Sequence, residues 1–81
     1  MNLRFTERLR KSYEASPPEI QRAFDKQAHL LSQNLGHPSL RAKKYEKQPG
    51  VWQARVNRDW RFYFTIETDV YVIIGLSRHP K

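Results

Sequence analysis

Cysteine is absent from this 81-residue chain, so neither disulfides nor thiolate metal ligands can brace it. Glycine occurs only at Gly36, Gly50 and Gly75, which leaves no glycine-rich loop to cradle a phosphate. No apolar run approaches membrane-spanning length, and Met1-Asn2-Leu3-Arg4 lacks the core of a signal peptide. The histidines, His29, His37 and His79, show no metal-ligand spacing. Acidic side chains are scarce: eight, against fifteen lysines and arginines. The expectation is one small domain spanning residues 1–81, cytoplasmic, away from membranes, with no metal or cofactor, and held together by packing.

Aromatic residues supply that packing: two Trp, four Tyr and four Phe. The formal charge is +7, and it is unevenly spread. Residues 1–36 carry six basic and four acidic side chains; residues 37–81 carry nine and four. A basic pole on a small domain suits a polyanionic partner such as RNA, DNA or an acidic protein segment. A merely solvated, highly charged surface is the alternative.

Residues 52–64, WQARVNRDWRFYF, alternate apolar and polar with period two, break at Asn57-Arg58-Asp59, and resume. This predicts a β-hairpin with one buried face. A three-residue loop at 57–59 pairs Val56 with Trp60, Ala54 with Phe62 and Trp52 with Phe64 on that face. Gln53, Arg55, Arg61 and Tyr63 then share the other, with Arg55 directly across from Arg61. A two-residue loop would set Val56 beside Arg61 and mix core with solvent residues. Facing arginines repel unless an anion lies between them or water screens them, so the juxtaposition invites a phosphate.

Around the hairpin the pattern predicts an α+β fold of order β-α-α-β-β-β. Residues 2–5 read as a strand, and Phe5, Leu9 and Tyr13 form a helical stripe. Ser16-Pro17-Pro18-Glu19 predicts a capping box opening a second helix that runs to about Asn34, stopped by Gly36 and Pro38. Ile20, Ala23, Phe24, Gln27, Leu30, Leu31 and Leu35 fall mostly on the face that packs on the sheet. Residues 37–45 suggest an edge strand protected by lysines. A turn near Thr68-Asp69 leads to a last strand at 70–76, apolar on both faces and therefore interior to a small antiparallel sheet.

This connectivity predicts a patch of Arg55, Arg58, Arg61, Arg78 and His79 beside the 57–59 loop. Tyr63 and Tyr71 are available for stacking, and Lys43 and Lys44 flank the patch. Guanidiniums bind phosphate bidentately and aromatic rings stack on unpaired bases. RNA cleavage without a metal needs a base for the 2′-hydroxyl proton, cations for the charge on phosphorus, and an acid for the leaving 5′-oxygen. Arg61 and Arg55 suit the second role and His79 a proton transfer; Glu46, His37 and Tyr63 are candidates for the other transfer. The structural alternatives are an Arg61 paired to Glu67 or Asp59, an exposed His79, and a solvated lysine edge.

The chain resembles the RelE/ParE superfamily of bacterial type II toxins. The resemblance rests on Ser12-Tyr13, Ser16-Pro17-Pro18-Glu19-Ile20-Gln21, His37-Pro38-Ser39-Leu40-Arg41 with Lys43-Lys44, VWQARV at 51–56, WRFYF at 60–64 and IGLSRH at 74–79. It implies a RelE-like fold, with two N-terminal helices backing the sheet, and a cognate antitoxin. It further implies a metal-independent mRNA endonuclease acting at the ribosome, or, on the ParE branch, a non-enzymatic inhibitor of DNA gyrase; a degenerate toxin would bind only its antitoxin. By this resemblance Arg61 contacts the scissile phosphate, Arg55 occupies a basic position on the preceding strand and His79 matches a C-terminal histidine. Lys43, Lys44, Arg58, Arg78 and Tyr63 are expected to bind RNA. Several relatives place a tyrosine at or just beyond the residue after that histidine, where this chain has Pro80-Lys81 and ends.

Overall fold

The structure, a computed structural model, describes residues 1–79; Pro80 and Lys81, the departure from the tyrosine pattern, lie outside them. Strand β1 (Asn2–Phe5) leads into helices α1 (Glu7–Glu14) and α2 (Pro18–Gln33). A 3₁₀ turn (Pro38–Leu40) and strands β2 (Lys43–Lys44), β3 (Trp52–Arg55), β4 (Trp60–Glu67) and β5 (Val70–Arg78) follow. The sheet order is β1-β5-β4-β3-β2. β1 lies parallel to β5 and every other pairing is antiparallel, so the sheet is mixed and β5 is interior.

The hairpin has the register required by its hydrophobic pattern. Trp52 faces Phe64, Ala54 faces Phe62 and Arg55 faces Arg61, and the Val56 amide donates to the Trp60 carbonyl at 3.0 Å. Ala54, Phe62 and Phe64 have no solvent exposure. They pack against Leu9 of α1 and Ile20, Phe24, Ala28 and Leu31 of α2. The Phe24 ring joins the layers, meeting Phe62 edge-on at 5.3 Å and Tyr13 at 5.7 Å. Each fully buried large apolar side chain contributes about 1.5–3 kcal/mol. The one ion pair among the described residues, Arg4–Glu67 at 3.7 Å, is exposed on both sides and contributes little. It also removes Glu67 as a partner for Arg61.

Four local expectations are corrected. The capping box does not form: Pro17 is the N-cap of α2 without a side-chain bond, and the Ser16 hydroxyl instead donates to the Ser12 carbonyl at 2.7 Å. α2 ends at Gln33 with an extended Asn34 as its C-cap, and the Asn34 side chain accepts from the Gly36 amide, so no left-handed glycine makes the stop. The edge strand shrinks to Lys43–Lys44 because Pro38 opens a 3₁₀ turn, whose first residues His37 caps through Nδ1, accepting from the Ser39 amide at 3.2 Å. Tyr71 is buried, with its ring edge-on to Phe64 at 5.6 Å, and offers no stacking surface.

That last correction has a clear cause. Tyr63 pairs with Gly75 but Phe64 pairs with Ile73, so Ile74 is an extra residue in β5. The bulge changes the facing parity along the strand. Leu76 and Ile73, three apart, both reach the core, and Tyr71 follows Ile73 inward. No helix among the described residues is long and apolar enough to cross a membrane.

Phe24 carries the contact between layers, so Phe24→Ala should lower stability by about 3–5 kcal/mol. Phe5→Ala, at a ring 44% exposed, should cost less than about 1 kcal/mol. Urea denaturation of the two variants checks this; equal losses would contradict the assignment of Phe24 as the hub.

Candidate functional site

Because Ala54, Phe62 and Leu76 turn toward the helices, the residues alternating with them occupy the opposite face. Two ladder rows cross it: Arg55, Arg61 and Ser77, then Lys43, Gln53, Tyr63 and Gly75. Lys44 falls on the other row, opposite Trp52, so the two lysines are split between faces.

Arg61 is held by the hairpin loop. Its Nη1 donates to the carbonyls of Asn57 at 2.7 Å, Trp60 at 2.9 Å and Arg58 at 3.3 Å. The loop is itself fixed by the Asn57 side chain, whose Oδ1 accepts from the Asp59 and Trp60 amides at 2.9 and 3.0 Å. One edge of the guanidinium is thus pinned while the group keeps further N–H donors for a ligand. Partial burial, and then the nearby Arg55 and Arg41 guanidiniums, pull the Arg61 pKa below the usual arginine value; Tyr63 and Asp59 act in the opposite sense. Among the described residues no carboxylate forms an ion pair with Arg41, Arg55 or Arg61.

Arg41 enters this cluster from outside the hairpin, and the sequence did not single it out as a site residue. It sits just after the 3₁₀ turn with φ 46° and ψ 42°, a left-handed conformation that is uncommon for a side chain of its size. The buried Gln27 of α2 holds the segment. Its Nε2 donates to the Ser39 carbonyl at 3.1 Å and the Arg55 carbonyl at 2.8 Å. One amide therefore ties the 3₁₀ turn to the end of β3. A groove of about 450 Å³ opens there, lined by Lys26, Gln27, Ser39, Arg41 and Arg55 among others. The available signal was Gln27 itself, a polar residue in the middle of an apolar helix face.

The C-terminal end of β5 closes on the same loop. The His79 amide donates to the Asp59 carbonyl, 2.6 Å away, and the His79 side chain is exposed. Arg78 lies opposite Trp60 in the ladder, on the row alternating with Arg61 and Ser77, so the structure does not set it beside Arg55 and Arg61 as the sequence predicts. Arg58 is exposed at the loop tip. His37 is engaged in capping its own turn, with Ser39 Oγ 2.9 Å from its Nδ1; Glu46 is exposed in the turn after β2. Tyr63 packs against Tyr45, ring centroids 5.0 Å apart at 58°, a contact that no sequence pattern marks. The arrangement offers clustered guanidiniums that form no ion pair among the described residues, near the Tyr63–Tyr45 rings, with the backbone of His79 held to the same loop; guanidiniums can engage a phosphodiester and an imidazole can move a proton.

No family model and no curated protein sequence matches the chain. Solved structures do match its fold. A YoeB/ParE toxin from Agrobacterium tumefaciens superposes with a TM-score of 0.81 at 14% identity, covering 99% of this chain and 100% of that one. The toxin–antitoxin complex RelBE2 from Mycobacterium tuberculosis gives a TM-score of 0.76 at 23% identity, with 96% of each chain covered. YafQ from E. coli gives 0.81 at 13% identity, covering 96% of this chain and 92% of that one. The chain has the fold of the RelE/ParE toxin superfamily.

Like charges facing each other across a strand pair cost about 0.2–1 kcal/mol. Arg55→Gln should therefore raise the urea midpoint at low salt, and the gain should shrink as salt rises and screens the repulsion. A lower midpoint for Arg55→Gln at low salt would show that Arg55 is neutralised within the protein.

Proposed function

We propose that residues 1–81 act as the toxin of a type II toxin–antitoxin pair, an mRNA endonuclease that works at the ribosome in the cytoplasm. The observation that carries this is the Arg55–Arg61 pair, set face to face with no ion-paired carboxylate among the described residues and joined by Arg41. Likeness of fold to toxins of the RelE, YoeB and YafQ kind supports the reading. Several of those solved structures are toxin–antitoxin complexes, which supports a cognate antitoxin here.

In the reaction the RNA 2′-hydroxyl loses its proton to a base and attacks the adjacent phosphorus. The bond to the 5′-oxygen then breaks, leaving a 2′,3′-cyclic phosphate and a 5′-hydroxyl that takes up a proton. The free N–H groups of Arg61, with Arg55, meet the extra negative charge on the phosphoryl oxygens. Pinning by the loop carbonyls keeps the Arg61 guanidinium oriented before substrate arrives, which limits the entropy lost on binding. His79, tethered through its amide to the hairpin loop, carries one of the proton transfers. Lys43 and Arg58 hold the strand electrostatically, and Tyr63 offers a ring for stacking. An acidic antitoxin segment laid over the arginines neutralises the toxin by occupying the phosphate position.

Wild-type protein, induced in bacteria, should arrest growth with mRNA cut inside coding regions. Arg61→Ala at matched soluble expression should abolish both effects, and Arg61→Lys should restore them only partly, because an ammonium lacks the bidentate geometry. Growth arrest with intact mRNA and impaired supercoiling would favour gyrase inhibition instead. In purified reactions His79→Ala should slow cleavage on the order of a hundredfold while leaving RNA affinity nearly unchanged. Proportional loss of both would make His79 a positioning residue.

A further inference from the structure

Gly75 is the only glycine within a strand of this sheet. Glycine in a strand is unfavourable unless something requires it. Backbone conformation does not: Gly50 alone among the glycines has positive φ, so Gly75, although it follows the Ile74 bulge, is not the left-handed glycine that some bulges need. Packing does not either, since a Cβ built at Gly75 meets no atom within 4 Å. Gly75 is nonetheless buried. It lines a recess in the surface, with open space where a side chain would stand.

The walls of that recess are chemically specific. Tyr63 lies directly across the ladder from Gly75, and its ring tilts against Tyr45. These residues, with Ile74, line a cavity of about 270 Å³ whose lining also includes Arg8 and Arg78. The volume is just below the range of about 300–1,000 Å³ usual for sites that take a whole small molecule. It suits one flat ring system, with the two tyrosine rings, Val51 and Ile74 as apolar lining and Gln48 and Ser77 as polar lining. Along β4, Tyr63 stands two residues from Arg61 on the same face, roughly 7 Å away, the scale of one nucleotide.

We infer that the Gly75 recess receives a single unpaired nucleobase of an RNA strand whose neighbouring phosphate lies on Arg55 and Arg61. The inference rests on the RNA-cleaving reading and adds to it a subsite and the reason for a glycine. Aromatic stacking tolerates any base, so the tyrosine rings fix the strand's position whatever its sequence. Arg8 and Arg78, which also line the cavity, supply positive charge for a flanking phosphate.

The test is fluorescence anisotropy with a short 2′-O-methyl oligoribonucleotide, which cannot be cleaved, and an abasic strand of equal length. Wild-type protein should bind the base-bearing strand about tenfold more tightly. Gly75→Val should fold with an unchanged or higher denaturation midpoint, since its side chain enters empty space and suits a strand, yet lose that preference. Tyr45→Leu should lose most of it. Arg61→Gln should weaken both strands alike and keep the preference. If wild type binds neither strand, the RNA reading falls and the recess with it. If it binds both equally, or folded Gly75→Val keeps the preference, the base site is wrong while the phosphate clamp stands. A Gly75→Val that fails to fold would show that the space above Gly75 is not free.

Discussion

Arg55 and Arg61 face one another across the β3–β4 ladder because no other register lets Ala54, Phe62 and Phe64 reach the core together. The forces are unequal. Burying those apolar side chains is worth several kcal/mol, whereas the repulsion between two partly solvated guanidiniums costs at most about 1 kcal/mol. The core thus fixes a juxtaposition that the charges alone would avoid. The proposed site follows from that imbalance, because among the described residues Asp59 and Tyr63 offset the repulsion without forming an ion pair with either arginine, and a bound anion would relieve it further.

Holding the cations in place takes contacts from three separate parts of the chain. Asn57 closes the hairpin loop, and the loop carbonyls grip Arg61. Gln27 reaches from α2 to the carbonyls of Ser39 and Arg55, bringing the turn that carries Arg41 up to the end of β3. The His79 amide bonds to the same loop from β5. Most of these are bonds from rigid elements to backbone carbonyls, so the charges sit on a framework whose geometry the core determines. Such preorganisation is what electrostatic stabilisation of a charged transition state requires.

The hairpin and its charge pair were legible in the sequence because strand periodicity is strict and a one-residue slip would have inverted WQARV against WRFYF. The helices were legible from their apolar stripes. Tyr71 was misread because a bulge at Ile74 leaves no mark in an already apolar strand, and one inserted residue reverses the facing of everything before it. The Ser16 cap was misread because two prolines in succession allow the helix to start one residue later. Arg41 was missed for a different reason. Its place depends on a left-handed residue and on a glutamine 14 positions earlier in the chain, and neither has a periodic signature.

The central claim is that Arg55 and Arg61 act jointly as a phosphate site. The most direct measurement is the salt dependence of binding to an uncleavable single-stranded RNA, plotted as log K against log salt for wild type, Arg55→Gln and Arg61→Gln. Each phosphate neutralised contributes about 0.7 to the slope on a single strand. Each substitution should flatten the slope by about that amount, and the double variant should flatten it by no more than the larger single effect if both arginines share one phosphate. Slopes identical to wild type in both single variants would show that neither arginine touches the RNA backbone and would contradict the account.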